Sequence, residues 1–370
     1  MNRVILIGNG FDLAHELKTS YTDFIDDFWE KKLDSFIETL RKKNRLGIFP
    51  ENSRISQTAE GNYRYNDNDI MFDFNDTYSN TLTDDILDKY LGYKLFYYVI
   101  TQFHLIEHSK SILFNNSFLG TITEKEQLQN WVDIEEEYYL ALIKCLEDKT
   151  ENEIDHLNKD FLSIQTYLVE YIKKQATTKI MKSSEIKEKI YEIKFYENSF
   201  KTTEKQTSDD FLFLNFNYTN TEKLYASPEN KVIHIHGELD NPKNPIIFGY
   251  GDEIDNKYKL IEEKNDNRYL ENVKSIKYSE TRNYREFLNF INSDYYQVYI
   301  MGHSCGISDR TLLNTLFEDD NCTLIKIFYH KREDGTDNYS DIVRNISRNF
   351  TKKTLMRERL IPKENSEPLL

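Results

Sequence analysis

Two side chains in this sequence have the type and placement to carry out chemistry. They are Asn217, in Asn215-Phe216-Asn217-Tyr218-Thr219, and His236, in His234-Ile235-His236-Gly237. An amide such as that of Asn217 can hold a ribose hydroxyl or a water. A histidine at a strand end, just before glycine, can stand exposed as a general base, because imidazole titrates near neutrality. Residues two apart on a strand point the same way, so His234 and His236 could also share a metal. Asp240 and Asp252 are the acids within reach, but their spacing matches no ligand pattern. A buried histidine satisfied by a backbone carbonyl is the plainer alternative. The reading adopted is a division, with His234 structural and His236 the base.

Three glycine-bearing segments follow apolar runs. Gly8-Asn9-Gly10-Phe11-Asp12 comes after Val4–Ile7, and Gly302-His303-Ser304 comes after Gln297–Met301, with Asp309 soon afterwards. Glycines after a strand let backbone N–H groups approach a pyrophosphate, and a helix that follows presents its positive end. A tight turn needing positive φ is the alternative for Gly8 and Gly10. The third segment, Phe248-Gly249-Tyr250-Gly251-Asp252, reads as a lid or simply a loop. Gly302–Gly306 also matches GxSxG literally, but a serine hydrolase needs an acid and then a histidine later in the chain. Only His330 follows. In Trp131-Val132-Asp133-Ile134-Glu135, Trp131, Ile134 and Tyr138 read as core, and Asp133 and Glu135 as a solvated face.

These segments need a frame that brings strand ends together. Val4–Ile7 is apolar throughout and β-branched, as expected for a central parallel strand covered on both faces. Strands are predicted again at Phe211–Phe216, Lys231–His236, Pro245–Gly249, Gln297–Met301 and Leu324–Tyr329. Helices lie between them at Tyr284–Ile291 and Arg310–Phe317. From about residue 20 to 205 the spacing is helical, at Thr22–Lys42, Leu82–His108, Glu124–Asp148, Asp155–Lys174 and Ser183–Phe195. The polar stretch 52–69 reads as a loop. The pattern predicts an α/β fold with a parallel, Rossmann-like sheet flanked by helices. Residues 1–19 and 206–360 would form the nucleotide-binding domain, 20–205 a helical insertion after the first strand, and 361–370 a frayed tail.

Composition narrows the class. The chain has 370 residues, 39% hydrophobic and 30% charged, which suits a globular protein. The abundance of Tyr (26) and Phe (23) fits half-buried helix faces. A net charge of -15 disfavours broad nucleic-acid binding. The Lys-rich stretch 173–205 is interleaved with Glu and reads as a solvated helix face. Three cysteines, with no CxxC pair, exclude a disulfide framework and a cysteine-rich zinc site. No apolar run reaches membrane length, and Val4–Ile7 is too short for a signal peptide, so a cytoplasmic chain is expected.

Taken together, ILIGNGFDLAHELKTSYTDF, WVDIEEEY, FNYTNT, IHIHGEL, IFGYGD and GHSCGISD resemble the bacteriophage abortive infection AbiH family. They run in the expected order over most of the chain. Two positions depart from the pattern: Glu16 stands where Gly is expected, and Cys305 where Leu is usual. The family is similar to sirtuin-like NAD-binding proteins. That resemblance implies NAD as substrate, with no metal, and an antiphage function. Gly8, Asn9, Gly10, Phe11 and Asp12 would line the nucleotide. Asn217 and Tyr218 would lie at the nicotinamide ribose, and His236 would be the base. Gly302, His303, Ser304 and Asp309 would lie at the adenosine ribose. The zinc-binding cysteines of sirtuin deacylases have no counterpart here, which points to NAD cleavage rather than deacetylation. A phage-derived activator, a partner defence protein and homo-oligomerisation are the implied partners. A nucleotide-sensing module without catalysis, and a metal-dependent nuclease or phosphohydrolase using the His-x-His pair, are the alternatives.

Overall fold

The computed structural model describes residues 1–51, 53–90, 92–103, 113–125, 131–148, 153–192 and 210–370. The expected domain boundary at 205/206, the end of the Lys-rich stretch and parts of three predicted helices (104–108, 126–130 and 193–195) lie outside the described residues. The chain forms two compact units. One comprises Met1–Thr19, Trp131–Asn158 and Ile172–Leu370, and the other Ser20–Asn130 and Lys159–Tyr171. The segment expected as one helical insertion is therefore shared between both. The helix Trp131–Asp148 belongs to the unit that holds the parallel sheet.

That sheet has six parallel strands. From edge to edge they are Glu367–Pro368, Cys322–Tyr329, Tyr296–Met301, Asn2–Ile7, Phe211–Asn215 and Lys231–His234. The sheet grows from the first strand to one side, then crosses back and grows to the other. Its switch point lies between Asn2–Ile7 and Tyr296–Met301, where an open α/β sheet leaves a crevice beyond the strands' carboxyl ends. Register brings Ile7 level with both Asn215 and Met301, and Asn215 level with His234. The loops after four strands therefore leave one edge together.

Alternation decides which helix covers which face. Val4, Leu6, Leu214, Val298 and Ile300 pack with Phe287, Leu316 and Ile346, from the helices Asn283–Ile291, Arg310–Glu318 and Tyr339–Asn349. Ile5, Ile7, Phe213, Tyr299 and Met301 point the other way, to Phe11, Ile361, Leu369 and Ile186 of the helix Ser184–Tyr191. The two central strands are buried at every residue, as covering on both faces requires.

Two expectations for this unit fail. Pro245–Gly249 is not a strand; it folds back so that the Ile247 amide donates to the His236 carbonyl (2.8 Å). The tail is not frayed. Glu367–Pro368 forms an edge strand, the Leu369 amide donates to the Tyr329 carbonyl (2.8 Å), and Leu369 is buried. The buried Lys326 ammonium pairs with Glu367 (2.5 Å), an attraction that tail composition does not reveal.

The second unit is built on the helix Tyr21–Leu46. Ser20 and Asp23 form a reciprocal capping box at its start, and Gly47 ends it in the left-handed conformation. Its buried stripe includes Phe24, Phe28, Trp29, Leu33, Phe36 and Leu40, and Trp29 stacks on Phe96 at 3.6 Å. The expected loop 52–69 instead carries the strands Ile55–Gln57 and Tyr63–Asn66. They belong to an antiparallel sheet with Ile70–Phe74 and Leu113–Phe114. Only one side of the first two strands is apolar, through Ile55 and Tyr65, and such short strands leave too little alternation to read. Phe36 packs edge-on against Tyr65, Phe72 and Phe74.

Candidate functional site

Two buried polar clusters form at the common edge of the parallel sheet. The first is tied to the opening loop. Asp12 is buried and accepts a hydrogen bond from the Thr219 hydroxyl (2.5 Å). Burial pushes the Asp12 carboxyl up to about 6, against the pull of Thr219. Nearby, Glu222 is fully buried and accepts from the Asn215 amide (2.7 Å). Glu222 also lies 3.1 Å from His234 Nε2, while His234 Nδ1 lies 3.2 Å from the Asn217 carbonyl. Both His234 nitrogens are thus engaged. Burial alone would lower the His234 pKa, but Glu222 and the carbonyl outweigh it and raise it.

The second cluster centres on Lys274. Its buried ammonium donates to Glu135 (2.8 Å), from the helix Trp131–Asp148, and to Asp309 (2.8 Å). Asp309 Oδ1 also lies 3.2 Å from His236 Nε2. The Tyr278 hydroxyl lies 3.1 Å from the same nitrogen. The Cys305 amide donates to His303 Nδ1 (3.0 Å), so the ring proton of His303 sits on Nε2, 3.6 Å from Asp309 Oδ2.

Burial separates the two carboxyls of this cluster. It would raise Asp309, but Lys274, His236 and His303 hold that carboxyl well below the usual range. Burial raises Glu135, with Lys274 opposing. The Lys274 ammonium would be lowered by burial, yet Asp309 and Glu135 hold it above its usual value. Burial also drives His303 down to about 4, so it is neutral at physiological pH. His236 Nε2 faces both Asp309 and the Tyr278 hydroxyl. Its Nδ1 has no hydrogen-bond partner among the described residues.

The family model described as bacteriophage abortive infection AbiH matches residues 4–330. This chain belongs to the AbiH family. No curated protein and no solved structure matches it. The matched span contains both clusters and ends one residue past the strand Cys322–Tyr329. The edge strand Glu367–Pro368 of this AbiH chain lies beyond it.

The glycines of the first and last loops of this AbiH chain serve close packing of backbone on backbone. Gly302 has φ 77°, and a Cβ there would fall 2.0 Å from the Phe11 nitrogen. A Cβ on Gly10 would fall 2.9 Å from the Gly302 Cα, and one on Gly8 would fall 2.5 Å from the His303 Cα. The Gly8, Gly10 and Phe11 amides, expected to face a pyrophosphate, donate instead to the carbonyls of Met301, Gly302 and Gly8. The helix that follows is the single turn Asn9–Leu13, too short to add a strong dipole. Asn9 and Gly10 remain partly exposed. Asp12 is buried rather than at a rim.

The remaining expected residues divide. Asn217 is half-buried, and its amide donates to the Gly8 carbonyl (3.0 Å), tying two strand-end loops together. The Tyr218 hydroxyl donates to the Ile247 carbonyl (3.1 Å). His236 is buried, not exposed, because Gly237 at φ 91° turns the chain back over it at once. His303 and Asp309 join His236 in the second cluster. Ser304 is exposed, and its carbonyl accepts from Asn345 (2.8 Å). Among the described residues, no three His, Cys, Asp or Glu side chains are grouped to hold a metal. His234 and His236 turn to different carboxylates. Gly249, in the segment read as a lid or loop, donates its amide to Glu135 (3.3 Å).

The sequence reading placed Glu135 on a solvated face, and the structure reverses this. Glu136 is exposed and Glu137 half-exposed, while Glu135 is buried. The signal was present, because Glu135 lies three, four and seven residues before the buried Tyr138, Tyr139 and Leu142. Lys274 and Tyr278 were missed altogether. Nothing near them in the sequence distinguishes that lysine from its neighbours Lys264 and Lys277.

Proposed function

We propose that this chain is an antiphage abortive-infection protein whose parallel-sheet unit cleaves NAD to nicotinamide and ADP-ribose. The observation that carries this reading is the buried Glu135–Lys274–Asp309–His236 cluster beside a sheet whose strand order is that of dinucleotide-binding folds. Family membership supports the antiphage context.

The nicotinamide–ribose bond is already activated, because the leaving group is cationic and departs neutral. The protein must orient NAD and stabilise an oxocarbenium-like C1′. Asp309, held well below the usual carboxylate range, supplies the negative charge that favours this centre. Asp309 holds His236 by Nε2, and Nδ1 accepts a proton from the attacking water, directly or through a ribose hydroxyl. Water oxygen bonds to C1′ as the nicotinamide nitrogen leaves with the bond's electron pair. Asn217 keeps the Gly8 loop in place and presents its remaining amide oxygen to the ribose or the water. NAD depletion then halts phage replication together with the cell. The divergent bonding of His234 and His236 counts against the metal-dependent alternative.

The test is nicotinamide release by the purified protein incubated with NAD, alone and with candidate phage activators. Release is expected, with a loss of about 10²- to 10⁴-fold in His236→Ala. No release under any condition, with full phage defence retained by both Asn217→Ala and His236→Ala, removes the reading.

A further inference from the structure

The Tyr278 ring that touches His236 also forms the wall of a surface groove of about 960 Å³. The groove is lined by residues from Ser275 to Asn289, which lead into and form the helix Asn283–Ile291. Its charges are unevenly satisfied. Glu280 pairs with Lys277 (3.3 Å), and Glu286 pairs with Lys231 (3.3 Å). Arg282 and Arg285, both exposed, make no side-chain hydrogen bond or ion pair among the described residues. On a chain of net charge -15, two unneutralised guanidinium groups facing one concavity are unusual. Guanidinium is the side-chain group best suited to bidentate phosphate contact.

The same groove has an aromatic wall. Tyr284 lies parallel to Tyr278, with ring centroids 5.6 Å apart and planes within 5°. His236 continues the series, 6.2 Å from Tyr278 and within 8° of parallel. Tyr284 is half-buried, lines the groove, and also packs against Phe287, with ring centroids 5.8 Å apart at 45°. A flat aromatic face beside free guanidinium groups matches a planar base attached to a phosphate.

We propose that this groove binds a small phosphate ester carrying a planar ring, of the nucleoside monophosphate class. Arg282 and Arg285 contact the phosphate, and the ring lies on Tyr284. An acidic peptide would satisfy the arginines but would leave the aromatic face without a partner. The proposal does not depend on NAD cleavage.

The test is calorimetric titration of the full chain with AMP, with adenosine and inorganic phosphate as separate halves. AMP is expected to bind at least tenfold more tightly than either half. Arg282→Ala and Arg285→Ala should each weaken AMP binding about tenfold, and Tyr284→Leu about fivefold or more. Higher salt should weaken it further. Asn217→Ala, at the strand-end crevice, should leave the affinity within about twofold. The arginine variants alter exposed side chains, and an unchanged thermal melt checks that they fold. AMP binding that survives the double arginine variant but is lost in Asn217→Ala assigns the ligand to the crevice and overturns the proposal. So does an absence of AMP binding at millimolar concentration, or displacement of AMP by a poly-glutamate peptide at equal affinity. A chain that binds AMP through these arginines leaves this site standing even where the nicotinamide-release and phage-defence tests remove the proposed activity.

Discussion

His234 and His236 are two residues apart, and each meets a buried carboxylate, yet their surroundings give them opposite capacities. His234 is held at both nitrogens, by Glu222 and by the Asn217 carbonyl. A ring engaged at both nitrogens has no free nitrogen to offer a ligand. His236 is held at Nε2 only, by Asp309 and Tyr278. The first cluster fastens loops. The second has carboxyls pushed in opposite directions around Lys274, the pattern on which the proposed acid–base role rests.

The widest separation should come from replacing each histidine in turn. His236→Gln is expected to lower nicotinamide release about 10²- to 10⁴-fold while costing under about 2 kcal/mol of stability. His234→Leu should do the reverse, costing about 3 kcal/mol with turnover within about fivefold, because it strands Glu222. The raised His234 pKa fixes the sign of the pH dependence. The pair's contribution is fully present below the unfolded value of 6.5 and fades as pH rises through the folded value, so the cost of His234→Leu should shrink toward pH 9. Equal effects of the two variants on turnover would abolish the distinction between the clusters.

Next in size is Lys274→Met, which leaves Glu135 and Asp309 without their cation. Urea unfolding should show a loss of about 3–5 kcal/mol, and Glu135→Gln in the same chain should restore part of it. A loss under about 1 kcal/mol would mean that the lysine does not neutralise these carboxylates.

Asp12 tests the first cluster. Its carboxyl rises from the usual 3.8 to about 6 on folding. The folded state therefore keeps a proton that the unfolded state releases, and stability falls as pH rises across that window, by about 3 kcal/mol. Asp12→Asn should remove this fall, so that the variant gains on the parent chain between pH 4 and 6. Parallel stability profiles for the two proteins would show that Asp12 is not the group responsible.

The smallest effect belongs to Glu16, four residues after Asp12. It holds a left-handed φ of 63°, which explains why glycine suits this position. Glu16→Gly is expected to stabilise by about 0.5–1 kcal/mol and to leave turnover unchanged. Cys305, the other departure noted in the sequence, also holds a left-handed φ, of 55°. A melting temperature that falls in Glu16→Gly would show that the Glu16 side chain makes a stabilising contact outweighing this strain.

Much of the frame was legible from local pattern. Val4–Ile7 announces a central parallel strand because only a strand covered on both faces can be apolar throughout. The strand ends at 215 and 301 follow from the polar residues and glycines just past them. The helix Tyr21–Leu46, expected at Thr22–Lys42, follows from its apolar stripe. The edge strand Glu367–Pro368 was not legible, because its partners are an amide–carbonyl bond and a lysine some forty residues away.

By itself, the sequence determined the family, the α/β class and the gathering of Gly8, Asn217, His236 and Gly302 near strand ends. Hydrophobic periodicity and turn residues are local, and a single chain displays them. Only the tertiary structure decided the chemistry at each position. It turned the glycines toward one another's backbone, buried Asp12 and His236, and drew Glu135 and Lys274 together across 139 positions of the chain. Burial and the nearest opposite charge set a side chain's proton affinity, and both are properties of neighbours in space, not in sequence.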